Sequence, residues 1–209
     1  LHTFEQITPE IGAAIDALQL HAPQVRRVVL WGLCDAASAA LLYLHDRPDA
    51  RVCGLCLLNP WVRSPTSLAR TQVKHYYLQR LAQREFWAKL LQGGVGLHAL
   101  RGLLGNVRAA SAAGTSLAAT SFQQRMATAW NNFNGHILLV LSGRDYTAKE
   151  FAEYASTHSP WPHLLAQARV TQHPIPDADH TFSSAAHRLA VAQATSHWLA
   201  CLSRAPKPK

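Results

Sequence analysis

The run Val28-Val29-Leu30-Trp31 leads through Gly32-Leu33-Cys34-Asp35-Ala36 straight into the alanine-rich stretch Ala37-Ser38-Ala39-Ala40-Leu41-Leu42. No other segment restricts the fold as much. β-branched and aromatic residues favour a strand and alanines a helix, so the chain must turn sharply between the two. Such a turn requires small residues two before and two after its apex to avoid clashes, and Gly32 and Ala36 fill those places. The apex is Cys34, whose thiol becomes a strong nucleophile when a base or a helix N-terminus draws off its proton. The other reading of Cys34 is a small buried hydrophobe at the end of a strand, as free cysteines often are.

Two later segments bear on that choice. The apolar stretch His136-Ile137-Leu138-Leu139-Val140-Leu141 reads as a buried strand and runs into Ser142-Gly143-Arg144-Asp145, which puts a carboxylate just past a strand's C-terminal end. A last strand, Ala168-Arg169-Val170-Thr171-Gln172-His173-Pro174-Ile175, is followed by a loop containing His180. Nucleophile, acid and histidine in that chain order characterise α/β-hydrolase sites and no other serine-hydrolase fold. In this scheme His180 takes the Cys34 proton and later delivers it to the leaving group. Asp145 fixes the imidazole tautomer, and the Asp35 amide helps hold an oxyanion. His173 lies inside the last strand, where it packs or faces solvent, and Asp177 and Asp179 read as turn residues. Asn59 and Trp61, at the end of another strand, are expected to line the substrate pocket, although Asn59-Pro60 is also a plain turn signal.

Trp31-Gly32-Leu33-Cys34-Asp35-Ala36, Leu58-Asn59-Pro60-Trp61-Val62, the block Lys74-His75-Tyr76-Tyr77-Leu78 with Phe86-Trp87, Ser142-Gly143-Arg144-Asp145 and Asp179-His180-Thr181-Phe182 together resemble the exosortase-A-system-associated hydrolases, an α/β-hydrolase family. The resemblance covers nearly the whole chain. It implies a cytoplasmic bacterial hydrolase found with exopolysaccharide and protein-sorting loci, with no defined substrate. The cysteine elbow is also similar to that of dienelactone hydrolases, there at the site alone. The family places several strands ahead of the first residue of this chain, including the loop that donates a second oxyanion N–H. The start Leu1-His2-Thr3-Phe4, without an initiator Met, is therefore expected to mark an N-terminally truncated protein.

The expected architecture is α/β, a parallel sheet flanked by helices and interrupted by a helical cap insertion. Residues 1–61 form the first part of the core with the elbow, 62–135 the helical cap, and 136–209 the second part of the core with acid and histidine. Thr8-Pro9-Glu10 opens the first helix, with Thr8 as N-cap. Strands are expected over 27–31 and 51–58, the latter an unbroken apolar run covered on both faces. In the cap, Tyr76, Tyr77, Phe86 and Trp87 recur at helical spacing, which is compatible with an apolar acyl or aryl site and equally with a helix core. His75 stands where it could meet substrate. A final helix runs from about 184 to 203.

With 209 residues, 48% of them hydrophobic, the chain has ample material for one core. No stretch approaches the length of a membrane span. Cys53 and Cys56 lie in one strand and point to opposite faces, and no second pair or histidine stands at zinc-like spacing from them, so no metal is expected. The net charge of +8 comes from scattered arginines and lysines rather than a basic face or a recognisable module, which argues against a specific nucleic-acid partner. The residues therefore point to a hydrolase that cleaves a small ester or thioester through a cysteinyl intermediate, with no cofactor. The alternative is a catalytically inactive binding or scaffold protein on the same fold.

Overall fold

The computed structural model describes residues 3–63 and 120–204. After a 3₁₀ turn at Phe4–Gln6 come α1 (Thr8–His21), β1 (Val28–Leu33), α2 (Asp35–Asp46), β2 (Val52–Leu58), α3 (Phe122–Asn132), β3 (His136–Ser142), α4 (Tyr146–Thr157), α5 (Trp161–Leu165), β4 (Val170–Ile175) and α6 (Ala185–Arg204). The chain divides into two compact units, Leu1–Val62 with Thr120–Lys209, and Arg63–Ala119. The aromatic block around Tyr76 and His75 lies outside the described residues.

The four strands form one parallel sheet in the order β1-β2-β3-β4. Its central strands are buried on both faces, which is why 55–58 of β2 and 137–141 of β3 are apolar without interruption. Side chains alternate across the sheet. Leu55 and Leu57 with Ile137 and Leu139 enter one core, and Cys56 and Leu58 with Leu138 and Val140 enter the other. The first core is closed by α1 to α5. Helix α2 contributes Ala37, Ala40, Leu41, Leu42, Tyr43 and Leu44, and is buried from Ala37 to Leu44, the pattern of a helix covered nearly all round. Trp161 meets Trp130 and Phe151 edge-on at 5.4 and 5.5 Å, and the Trp130 indole N–H donates to the Leu164 carbonyl. The second core is closed by Val191, Trp198 and Leu202 of α6. Each large aliphatic residue so buried contributes about 1.5–3 kcal/mol.

Three boundaries differ from expectation. Strand β1 runs two residues further, to Leu33, because Gly32 and Leu33 continue the parallel ladder opposite Leu57 and Leu58. The N-cap of α1 is Ile7, which has no capping side chain; the Thr8 hydroxyl instead donates to Asp46 Oδ2 at the end of α2. Helix α3, inside the stretch 62–135, buries Met126, Ala127, Ala129 and Trp130 in the first unit's core.

All four strands end at one edge, with Leu33 level with Leu58, Leu58 with Val140, and Ser142 with Ile175. Open parallel α/β sheets assemble their sites at this carboxyl edge.

Candidate active site

Cys34 follows β1 directly, as the N-cap of α2, with φ 61° and ψ −120°. A non-glycine residue in this region costs on the order of 1–3 kcal/mol and persists only where its surroundings fix it. They do so through the backbone. The Cys34 N–H donates to Leu58 O at 2.9 Å, and its carbonyl accepts from the N–H groups of Trp61 at 3.2 Å and Ser38 at 3.3 Å. The buried Ser38 hydroxyl donates to Trp61 O at 2.7 Å and closes the bracket. A Cβ on Gly32 would stand 2.6–2.7 Å from backbone atoms of Ala36 and Ala37, so only glycine fits two residues ahead of the apex.

The thiol belongs to the residue that opens α2, where the helix carries its partial positive charge, an environment that favours thiolate. The Asp35 amide lies in the first turn, where a helix offers it no carbonyl, and can receive a developing oxyanion. The Asp35 side chain is exposed and accepts from the Ala36 N–H at 2.9 Å.

Asp145 ends the turn after β3 and caps α4. Its Oδ1 accepts from the Thr147 N–H at 3.2 Å and its Oδ2 from the Ala148 N–H at 3.0 Å. His180 Nδ1 donates to the same Oδ2 at 2.9 Å. The carboxylate is buried, while the imidazole side chain keeps about a third of its surface exposed (36%). With Nδ1–H committed to the carboxylate, Nε2 is left as the basic nitrogen.

The histidine loop is fastened to the acid turn. Gly143 N–H donates to Ile175 O and Arg144 N–H to Ala178 O, each at 3.0 Å. Ala178 and Phe182 (φ 53°) are buried in the second core and anchor the loop on either side of His180. Asp179 receives the Ser183 N–H at 2.8 Å and Asp177 pairs with Arg144 at 3.3 Å on the exposed surface, the loop-shaping parts expected of them.

Asn59 is fully buried and sits at φ 45°. Its Nδ2 donates to Ser142 Oγ at 2.6 Å and to the His180 carbonyl at 3.0 Å, and its Oδ1 accepts the Ser142 N–H at 2.9 Å. Its amide nitrogen and oxygen are both engaged inside the fold. Trp61 is half-buried and brackets Cys34 through its main chain, and Tyr76 lies outside the described residues. His173 is exposed on β4 and lines a groove of about 380 Å³ with Leu138, Trp198 and Cys201. None of Cys34, Asp145 and His180 lines that groove.

None of Cys34, Cys53, Cys56 and Cys201 is held in a disulfide. Burial pushes the Cys56 thiol up to about 11, so it stays protonated and inert near neutral pH. Among the described residues no group of three or more His, Cys, Asp or Glu is placed to hold a metal ion. No described helix is long and apolar enough to cross a membrane.

A strained Gly-x-Cys-x-Ala apex after one parallel strand, a carboxylate after a later strand and a histidine after the last make this an α/β-hydrolase fold. No protein-family model matches the chain, and no curated protein matches its sequence. Among solved structures it is similar to a thermophilic esterase from Thermogutta terrifontis, at 17% identity and a TM-score of 0.48 over 97% of this chain and 74% of that one. It is also similar to a monoacylglycerol lipase from Paleococcus ferrophilus, at 17% identity and 0.49 over 94% and 76%. A Pyrococcus furiosus esterase shares 13% identity at 0.49 over 93% and 62% of the two chains.

Proposed function

We propose that this chain carries the acyl-transfer machinery of a hydrolase that cleaves small esters or thioesters through a cysteinyl acyl-enzyme. The observation that carries the reading is the Asp145–His180 hydrogen bond of 2.9 Å at the sheet edge where Cys34 holds a strained, positive-φ apex. In the reaction His180 Nε2 accepts the Cys34 proton while the sulfur forms a bond to the substrate carbonyl carbon. The carbonyl oxygen becomes an oxyanion beside the Asp35 N–H. Collapse of that adduct breaks the bond to the alcohol or thiol, which leaves with the proton from His180. A water molecule then gives its proton to His180 and attacks the thioester, and the carboxylic acid departs as the proton returns to Cys34. Asp145 stays ionised throughout and stabilises the imidazolium.

Placement of the reaction in a bacterial exopolysaccharide or exosortase system is supported by the sequence resemblance alone. Trp61 is assigned to the substrate pocket by its place just past the end of β2.

The test is hydrolysis of short-chain p-nitrophenyl esters and of acyl thioesters. Cys34→Ala is expected to lower kcat by on the order of 10³-fold or more, because acylation has no other nucleophile. Cys34→Ser should keep a small residue of activity, since a hydroxyl depends more heavily on the base. Hydrolysis undiminished in Cys34→Ala would refute the mechanism. A chain that binds ligand without turning it over would point to a scaffold instead.

A further inference from the structure

The Asn59 side chain reaches both the acid turn, at Ser142, and the histidine loop, at the His180 carbonyl. It directly follows Leu58, whose carbonyl holds the Cys34 N–H, and comes two residues before Trp61, whose N–H holds the Cys34 carbonyl. The three loops that bear nucleophile, acid and base thus meet on residues 58–61. By topology His180 follows β4, at the far side of the sheet from β1. Asn59 Nδ2 donates to its carbonyl at the end of β2, the strand next to the one that leads into Cys34.

The side chain is suited to that task. A carboxamide offers two N–H donors and a carbonyl acceptor, and here one donor meets Ser142 Oγ, the other the His180 carbonyl, and the acceptor the Ser142 N–H. Asparagine is also among the few non-glycine residues that tolerate left-handed backbone, which φ 45° requires. Aspartate would keep the acceptor and set an oxygen against the His180 carbonyl. Leucine would fill the volume and take a partner away from the Ser142 hydroxyl, the Ser142 N–H and the His180 carbonyl.

We propose that Asn59 is the positioning residue that seats His180 over the elbow, so that Nε2 stands within reach of the Cys34 sulfur. The inference rests on the proposed triad, and its test separates the two. The readout is the pH dependence of Cys34 alkylation by iodoacetamide, followed by peptide mass spectrometry in wild type, His180→Ala, Asn59→Asp, Asn59→Gly and Ser142→Ala. In wild type the paired thiol should alkylate with a midpoint below that of a free cysteine, about 8.5. Asn59→Asp and Asn59→Gly should each raise the midpoint toward that of His180→Ala, and lower kcat by about 10–100-fold with little change in KM, the scale of a roughly 1 Å misplacement. Ser142→Ala leaves the bond to His180 in place and should keep the wild-type midpoint.

Asn59→Gly relieves backbone strain and Asn59→Asp is isosteric, so failure of one to fold leaves the other as the test. A purely architectural Asn59 would lower the melting temperature of these variants and leave the midpoint where it was, and that result overturns the proposal. A wild-type midpoint near 8.5, unmoved in His180→Ala, would overturn the triad and with it this role. A low midpoint raised by His180→Ala but not by either Asn59 variant would overturn the Asn59 role alone.

Discussion

A methyl group added at Gly143 would stand 2.0 Å from the carbonyl oxygen of Pro176, with two more Pro176 backbone atoms inside 3 Å. The acid turn and the histidine loop touch there main chain to main chain, and neither can yield without moving Asp145 or His180. Gly143→Ala is therefore expected to lower stability by about 1–3 kcal/mol, as overpacking does, and to lower kcat by a further factor on a properly folded sample. Urea denaturation beside turnover numbers measures both, and unchanged values for each would show that the two loops have slack. Gly32 and Gly143 meet the same kind of constraint, yet only Gly32 was legible in the sequence. Its clash is with residues four and five positions along the chain, a local matter, whereas Pro176 is 33 positions from Gly143. Asn59 shows the same limit. Leu58-Asn59-Pro60 reads as a strand end and a turn, but the partners of Asn59 are 83 and 121 residues away.

Elements enter the fold through a charged clamp far from the site. Arg51, just ahead of β2, donates to Asp49 through Nε at 2.8 Å and Nη2 at 2.6 Å, and to Asp16 of α1 at 2.6 Å. The buried Tyr43 hydroxyl of α2 donates to the same Asp49 at 2.5 Å. Hydrogen bonds from Arg51 hold the Asp49 carboxyl well below the usual carboxylate range, against the opposing pull of its burial. Its folded pKa is below its unfolded value of about 3.9, so the unfolded chain takes up the proton first as pH falls. The stabilisation is complete above about pH 4 and drains away below it. In melting curves from pH 7 to pH 2, Asp49→Asn should be less stable than wild type at neutral pH, with the gap closing below about pH 4. A gap that stays constant across that range would show that the carboxylate's charge has no part in the clamp. At this scale the sequence was informative for β2 and β3, whose unbroken apolar runs demand cover on both faces. It was less so for β1, whose last two residues, Gly32 and Leu33, look like turn material until paired with β2.

Across the whole molecule, the sheet order β1-β2-β3-β4 brings three loops, widely separated in sequence, to one edge. That Cys34, Asp145 and His180 each follow a strand was readable because each comes after an apolar run by only a few positions. Which of those loops touch was not, because contacts among them depend on the connections in which α2, α3, α4 and α5 lie. Strand β1 forms one border of the described sheet, and Trp31 upon it is 54% exposed. If Cys34 takes the acyl group, mixing the protein with an activated ester, quenching in acid within the first turnover, and mapping the acyl mass by peptide mass spectrometry will locate it there. The acyl group is expected on the peptide that carries Cys34, with Cys56 unmodified and no adduct at that peptide in Cys34→Ala. Turnover with the acyl group on Cys53 or Cys201, or on no cysteine at all, would contradict that role for Cys34.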